Sequence, residues 1–557
     1  MASEPTRSTR LRRRLAVAVR HELAAPVAVV AVGAALRLFQ LTDESVWLDE
    51  GIAYHTATRR SVPEIVFGLA GGPNPPLYFL FLHGWVDLAG TSLFALRLPS
   101  AVAGVASVAL TYLLGRRLYD RRVGLLAAAV LALAQFHLEY AQMARMYAIL
   151  VALTLGSFLW FVRYWEDGTR RAGAAYLLVT VAMVYTHTFA LFTVMAQAAF
   201  VAAAALREGT VRSTLRRWAP VGVAGTLLTG PWVVHLAARV LRPVMRSGGG
   251  PDGGGGVGSG IHVTLPPPHS LASAYVDYLM PLEPFVSGMR PWALPALAGT
   301  VVALGGAAAA GVRPLVAGRL LDRSDGPAPT TDGGTAVAGH ATVPRSLRGR
   351  PRTRALLLGS WAVVPVPVPF VLSYLVTPIF LHRYTIAASV GVFLLAAAGL
   401  ARVRRRHLRY ALITVLLVGL AAPLPWHYGV DQKEQWREAA ATVEHGADPG
   451  DLVVVSERTA RYSFDFHFDD EGVRVVAVEE GAPASRLAGA TAGHDAVWHV
   501  TSHLSEARER RQTAVLSDLF ERTRTERFNN IVVRRYERTP SDAGADPDPG
   551  LDRRLRR

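Results

Sequence analysis

The sequence predicts an all-α polytopic membrane protein of about eleven transmembrane helices, carrying a small C-terminal extracytoplasmic α/β domain. Three observations lead there. Of the 557 residues 51% are hydrophobic and only 18% charged, and the apolar residues come in long blocks rather than at amphipathic spacing. Arginines cluster at alternate ends of successive blocks. After Trp426 the long apolar blocks stop, and short β-rich runs alternate with charged helical stretches.

A helix that crosses the hydrocarbon core needs about 20 largely apolar residues. That rule places spans near 22–41, 93–114, 122–137, 143–163, 172–187, 189–206, 217–237, 291–312, 355–377, 384–402 and 408–426. The Arg-rich N-terminus, 1–21, lacks a small-residue cleavage site after its apolar run and reads as the cytoplasmic flank of an uncleaved first helix. The clusters Arg7 to Arg20, Arg116 to Arg122, Arg163 to Arg171, Arg207 to Arg217, Arg313 to Arg354 and Arg402 to Arg409 then all face the cytoplasm. The intervening loops 42–92, 138–142, 186–188, 238–290 and 378–383 face outward, with everything after 427.

Residues 22–426 thus form the membrane domain, 427–540 an accessory α/β domain and 541–557 a disordered tail. Gly248–Gly260 and Ser324–Gly339 read as flexible spacers. In the outer domain, strands are expected from Asp451 onward, at Val473–Val478, Ala496–Thr501 and Asn530–Tyr536, with helix over Ser505–Arg522.

The formal net charge is +16, but the arginines flank apolar segments as topology requires, so nucleic acid is excluded as a partner. With no cysteine there is no disulfide, thiolate nucleophile or Cys-ligated zinc. No HExxH or CxxC signature is present, and a divalent metal ion stays open as a cofactor.

The out-of-place polar residues concentrate in the outward loops. Trp47–Tyr54, WLDEGIAY, carries the adjacent acids Asp49 and Glu50; they either serve chemistry or cap a short helix. Asn74 and Tyr78 follow in NPPLYFLFLHGW, whose prolines stop one helix before another lies along the interface, with His83 inside it. The loop HLEYAQMARMY holds Glu139 and Arg145, which either pair with each other or mark a functional path. His187 interrupts the apolar run at 172–206. His382, Arg383 and Tyr384 open a later helix, where an arginine can grip a phosphate or snorkel to lipid headgroups.

Together WLDEGIAY, NPPLYFLFLHGW, FALRLPSAVAG, HLEYAQMARMYAIL, THTFALF and HRYT resemble the polyprenyl- or dolichyl-phosphate-sugar-dependent glycosyltransferases of the GT-C fold. Family 39 is the nearest match, with its protein O-mannosyltransferases and lipid A aminoarabinose transferases. Archaeal enzymes that finish N-linked glycans are also similar. The resemblance runs over roughly residues 22–400. It implies transfer of a sugar, mannose by family, from a lipid phosphate to a glycan, protein or lipid outside the membrane. Asp49 would be the catalytic base with Glu50 beside it, and Glu139 a second site acid. Arg145, Arg383, His382, Tyr384 and His187 would hold the donor phosphate, while Asn74, His83 and Tyr78 would shape the acceptor loop. The implied partners are the lipid-linked donor, the acceptor glycan or glycoprotein, and membrane lipids. Nothing encodes the luminal β-trefoil-like domain of the protein O-mannosyltransferases, which counts against a serine or threonine acceptor. A transporter or flippase would instead place charges inside matched, broken spans. An envelope scaffold would leave the loop residues structural.

Overall fold

The computed structural model describes residues 7–67, 74–246, 264–279, 304–313, 346–347, 349–469, 472–479 and 484–538. The Gly248–Gly260 and Ser324–Gly339 segments, the tail 541–557 and most of the span expected at 291–312 lie outside them. The chain divides into two compact units. One comprises Met1–Phe39, Val62–Phe81 and Arg97–His427; the other comprises Gln40–Ser61, Leu82–Leu96 and Tyr428–Arg557.

The helices of the N-terminal two-thirds are α1 (Arg7–Leu38), α2 (Leu48–Arg59), α3 (Val62–Val66), α4 (Leu77–Ala89), α5 (Leu93–Leu118), α6 (Arg121–Leu133), α7 (Gln135–Ala141), α8 (Tyr147–Asp167), α9 (Arg170–Thr186), α10 (Ala190–Glu208), α11 (Val211–Arg246) and α12 (Ser270–Asp277). They are followed by α13 (Pro351–Val363), α14 (Pro367–Leu375), α15 (Ile386–Ala401), α16 (Arg406–Ala421) and α17 (Leu424–Gly429). Among the described residues seven helical segments are long and apolar enough to cross a membrane, or eight if the bent pair α6–α7 is one span. The expected eleven exceed that number because α1, α9 and the 291–312 segment do not enter it. At 17 residues α9 is short, but it is separate from α10: His187 is extended (φ −152°, ψ 134°) between them.

Between α6 and α7 the chain bends by 63°, which strands carbonyl groups that water would satisfy in a soluble protein. Arg37, fully buried, satisfies them. Its Nη1 donates to Ala132 O (3.2 Å) and Gly33 O (3.0 Å), and its Nη2 to Leu131 O (3.1 Å). The converse contact closes the end of α1, where Gln142 Nε2 donates to Phe39 O at 2.8 Å. Gly104 makes room for this arrangement. A Cβ there would lie 2.8 Å from Arg37 Nε and 2.7 Å from the Ala141 Cβ.

In the second unit the C-terminal segment folds as a five-stranded sheet in the order β2-β1-β3-β5-β4. The strands are β1 (Leu452–Ser456), β2 (Arg474–Val478), β3 (Ala496–Ser502), β4 (Glu521–Phe528) and β5 (Ile531–Glu537). β1 runs parallel to β2 and β3, while β5 is antiparallel to β3 and β4. Val453, Val455, Trp498 and Val500 pack under α18 (Trp436–Gly446) and α19 (Arg458–His467). Leu452, Val454, Val497 and Tyr536 face α20 (Ala484–Thr491) and α21 (Glu506–Leu519). β4 replaces the end of the helix expected over Ser505–Arg522. Its sequence, ERTRTERF, is largely exposed and carries no apolar alternation, as befits a charged edge strand.

Replacing Arg37 with Met should cost about 2–4 kcal/mol, since three carbonyl contacts lose a charged donor. Arg121→Met is the control, because the Arg121 contact to Glu22 O is solvent-exposed. Thermal unfolding of the detergent-solubilised protein would show a large shift for the first variant and almost none for the second. Equal shifts would mean that the buried guanidinium secures nothing.

Candidate active site

The acid motif belongs to the second unit and is buried there: Asp49 is 2% and Glu50 1% exposed. They sit in the first turn of α2, which packs along α19. Gly51 permits that approach, since a Cβ would stand 2.4 Å from Ser463 Oγ and 2.8 Å from its backbone nitrogen. Further along, His55 stacks on Tyr462 (centroids 3.8 Å apart) and Tyr54 meets Phe466 edge-on at 4.9 Å. Burial, aided by Arg60, Arg59 and Arg461, lowers the His55 pKa to about 4 and keeps the ring neutral at physiological pH.

The two acids are not equivalent. Glu50 Oε2 accepts the Trp47 N–H at 3.1 Å, closing the N-terminus of α2, and lies 3.9 Å from Lys433 Nζ. The Glu50 carboxylate is thus engaged in holding the helix. His83 also serves the scaffold: its Nδ1 lies 2.7 Å from the Ala57 carbonyl, tying α4 to α2. Trp85 repairs a different gap. Pro99 has no N–H to offer the carbonyl four residues earlier, and Trp85 Nε1 donates to that Ala95 carbonyl at 2.8 Å.

The first unit gathers the basic residues. Arg145 follows α7 and is 4% exposed; Ser100 Oγ donates to its carbonyl at 2.9 Å and fixes the turn. His187, 2% exposed, occupies the break between α9 and α10. Rings surround it: Tyr147 at 5.7 Å, Phe189 at 5.8 Å and Tyr384 at 5.2 Å between centroids. The Arg145 and Arg383 guanidinium carbons lie 5.9 Å and 5.5 Å from the Tyr147 and Tyr384 ring centres, the same rings that flank His187. The Phe189 N–H donates to His187 Nδ1 at 3.1 Å. In the neutral ring the proton is therefore on Nε2, which is buried and has no hydrogen-bond partner among the described residues. An unmet buried donor costs about 1–3 kcal/mol. An anionic oxygen would satisfy it.

His382 is turned differently. Its Nδ1 pairs with Asp277 at the end of α12, and Ser273 Oγ lies 3.4 Å from its Nε2. Asp277 was not apparent in the sequence; the only signal is an acid among aromatics, VDY, as in WLDEGIAY. Glu139 is half-buried on α7, Tyr78 is buried at the start of α4, and Asn74 is half-buried just before it. Among the described residues no three acids or histidines gather in a way that could hold a metal ion.

Residues 73–235 match the family described as dolichyl-phosphate-mannose-protein mannosyltransferase. Among solved structures the chain is similar to ArnT from Cupriavidus metallidurans in the apo state, at 13% identity and TM-score 0.56, covering 93% of this chain and 99% of that one. It is also similar to the apo oligosaccharyltransferase of Archaeoglobus fulgidus, at 12% identity and TM-score 0.50, covering 94% of this chain and 75% of that one. No curated protein matches. The chain has the GT-C fold that its motifs led us to expect.

Gly51→Ala should force α2 away from α19 at a cost of about 1–3 kcal/mol. Gly230, with nothing within 4 Å, is the control position. A melting temperature unchanged by Gly51→Ala would contradict the packing described.

Proposed function

We propose that this chain, a membrane glycosyltransferase of GT-C type, moves a sugar from a dolichyl- or polyprenyl-phosphate donor to an acceptor hydroxyl outside the membrane. The observation that carries the reading is the buried Nε2–H of His187, without a partner among the described residues, between the Tyr147 and Tyr384 rings on which Arg145 and Arg383 lie. Two guanidinium groups and one N–H suit a phosphate oxygen that gains charge as its bond to carbon breaks. The family match over residues 73–235 supports a lipid-phosphate donor and favours mannose as the sugar.

In the proposed reaction the Asp49 carboxylate takes the proton of the acceptor hydroxyl. The oxygen attacks the anomeric carbon, the bond from that carbon to the phosphate oxygen breaks, and the lipid phosphate leaves with the bonding electrons. One direct displacement inverts the anomeric centre. Arg145, Arg383 and His187 stabilise the departing phosphate, with Tyr384 walling the cluster. His382, oriented by Asp277, is assigned to the same donor. Glu139 is assigned as the second site acid, and Asn74 and Tyr78 to the acceptor side. Glu50 and His83 support the acid helix.

The acceptor is a glycan, glycoprotein or lipid on the outer side, and the orientation rests on the arginine clusters. The test is mass spectrometry of surface glycans from a deletion strain complemented with wild type or Asp49→Asn. One sugar should be missing from the deletion, restored by wild type and not by the variant, whose transfer falls at least about 100-fold. Full restoration by Asp49→Asn in correctly inserted protein would remove the carboxylate from the mechanism.

A further inference from the structure

Lys433 is the only lysine in a chain with 59 lysines and arginines in all. It lies in the segment before α18, and its side chain is 9% exposed. Its Nζ is 3.2 Å from Glu44 Oε2 and 3.9 Å from Glu50 Oε2. The other Glu44 oxygen accepts the Gln432 N–H at 2.9 Å. The ammonium therefore joins the residues before α2 to its first turn. Lys433 is itself anchored from behind. Asn529, at the β4–β5 turn, donates through Nδ2 to the Lys433 carbonyl at 2.9 Å, and its N–H reaches Gln435 Oε1 at 3.0 Å. Next along, Glu434 is held by the Trp436 indole N–H (2.5 Å) and by His503.

The result is a chain of contacts from the sheet turn, through Lys433, to the carboxylate beside Asp49. Two adjacent acids buried in one helical turn repel each other, and each loses hydration. A cation bound to Glu50 and Glu44 offsets that conflict. A compact ammonium can serve two carboxylates at one point, where a planar guanidinium would demand a fork. We propose that Lys433 is a positioning residue for the acid at Asp49, so that the C-terminal α/β domain sets the geometry of the transfer reaction. This rests on the reading of Asp49 as the base.

The experiment measures turnover and donor KM for full-length protein in membranes, normalised to folded enzyme. It compares Lys433→Arg, Lys433→Met, the double variant Lys433→Met/Glu50→Gln, and Asp49→Asn. A misplaced base loses rate rather than donor affinity, so Lys433→Met should lower kcat about tenfold or more with donor KM within about twofold of wild type. Lys433→Arg should fall between that variant and wild type. Lys433→Met alone leaves Glu50 buried without its cation and can fail to fold. The double variant avoids that charge and should still show the kcat loss. Wild-type kcat in the folded double variant, or a loss carried by KM, overturns the positioning role. Activity retained by Asp49→Asn instead overturns the base, which separates the two failures.

Discussion

The buried guanidinium of Arg37 is the contact on which the first unit depends. A helix broken inside an apolar layer has no water to receive its last carbonyls, so the break between α6 and α7 exists only if the protein supplies donors. Arg37 supplies them from α1, and Gln142 answers by closing the end of α1. Because the break is satisfied, α7 can turn and be followed by the short stretch ending at Arg145, whose carbonyl Ser100 holds. The motif FALRLPSAVAG reads physically in these terms. Pro99 needs Trp85, Ser100 pins the turn, and Gly104 yields space to Arg37.

The second unit solves the opposite problem, which is how to bury negative charge. Asp49 and Glu50 lie side by side with almost no solvent contact. Glu50 accepts the Trp47 N–H and lies 3.9 Å from Lys433 Nζ, which holds it in the first turn of α2. The C-terminal domain, which by sequence looks like an appendage, supplies the helix against which this motif packs, through Ser463, Tyr462 and Phe466. The proposed base and the proposed phosphate-binding cluster thus belong to different units and rest on separate physical devices.

Much of this was legible in the sequence, for reasons of length and period. Apolar runs of spanning length gave most of the membrane helices, and the Thr186-His187-Thr188 interruption was a real helix end because extended backbone follows Thr186. The inward-facing valines of β1 announced a strand buried on both faces. β4 did not announce itself, since an exposed edge strand of Arg, Thr and Glu has neither helical nor strand-like apolar spacing. Grouping Arg145, His187 and Arg383 needed the resemblance to a family, because nothing local says that residues 42 and 196 positions apart gather around the same pair of tyrosine rings. The Lys433 link to Glu44 was invisible for the same reason. Contacts across nearly 400 residues leave no periodicity in the chain.

The proposed chemistry is a division of labour in which the basic cluster holds the phosphate and Asp49 acts on the acceptor. The most direct test is equilibrium binding of sugar-free polyprenyl phosphate to the purified protein in lipid nanodiscs. Removing a charge-assisted contact should weaken binding by about tenfold in Arg145→Gln and in Arg383→Gln, while Asp49→Asn binds as wild type does. Equal weakening in all three variants, or wild-type affinity in both arginine variants, would contradict the account.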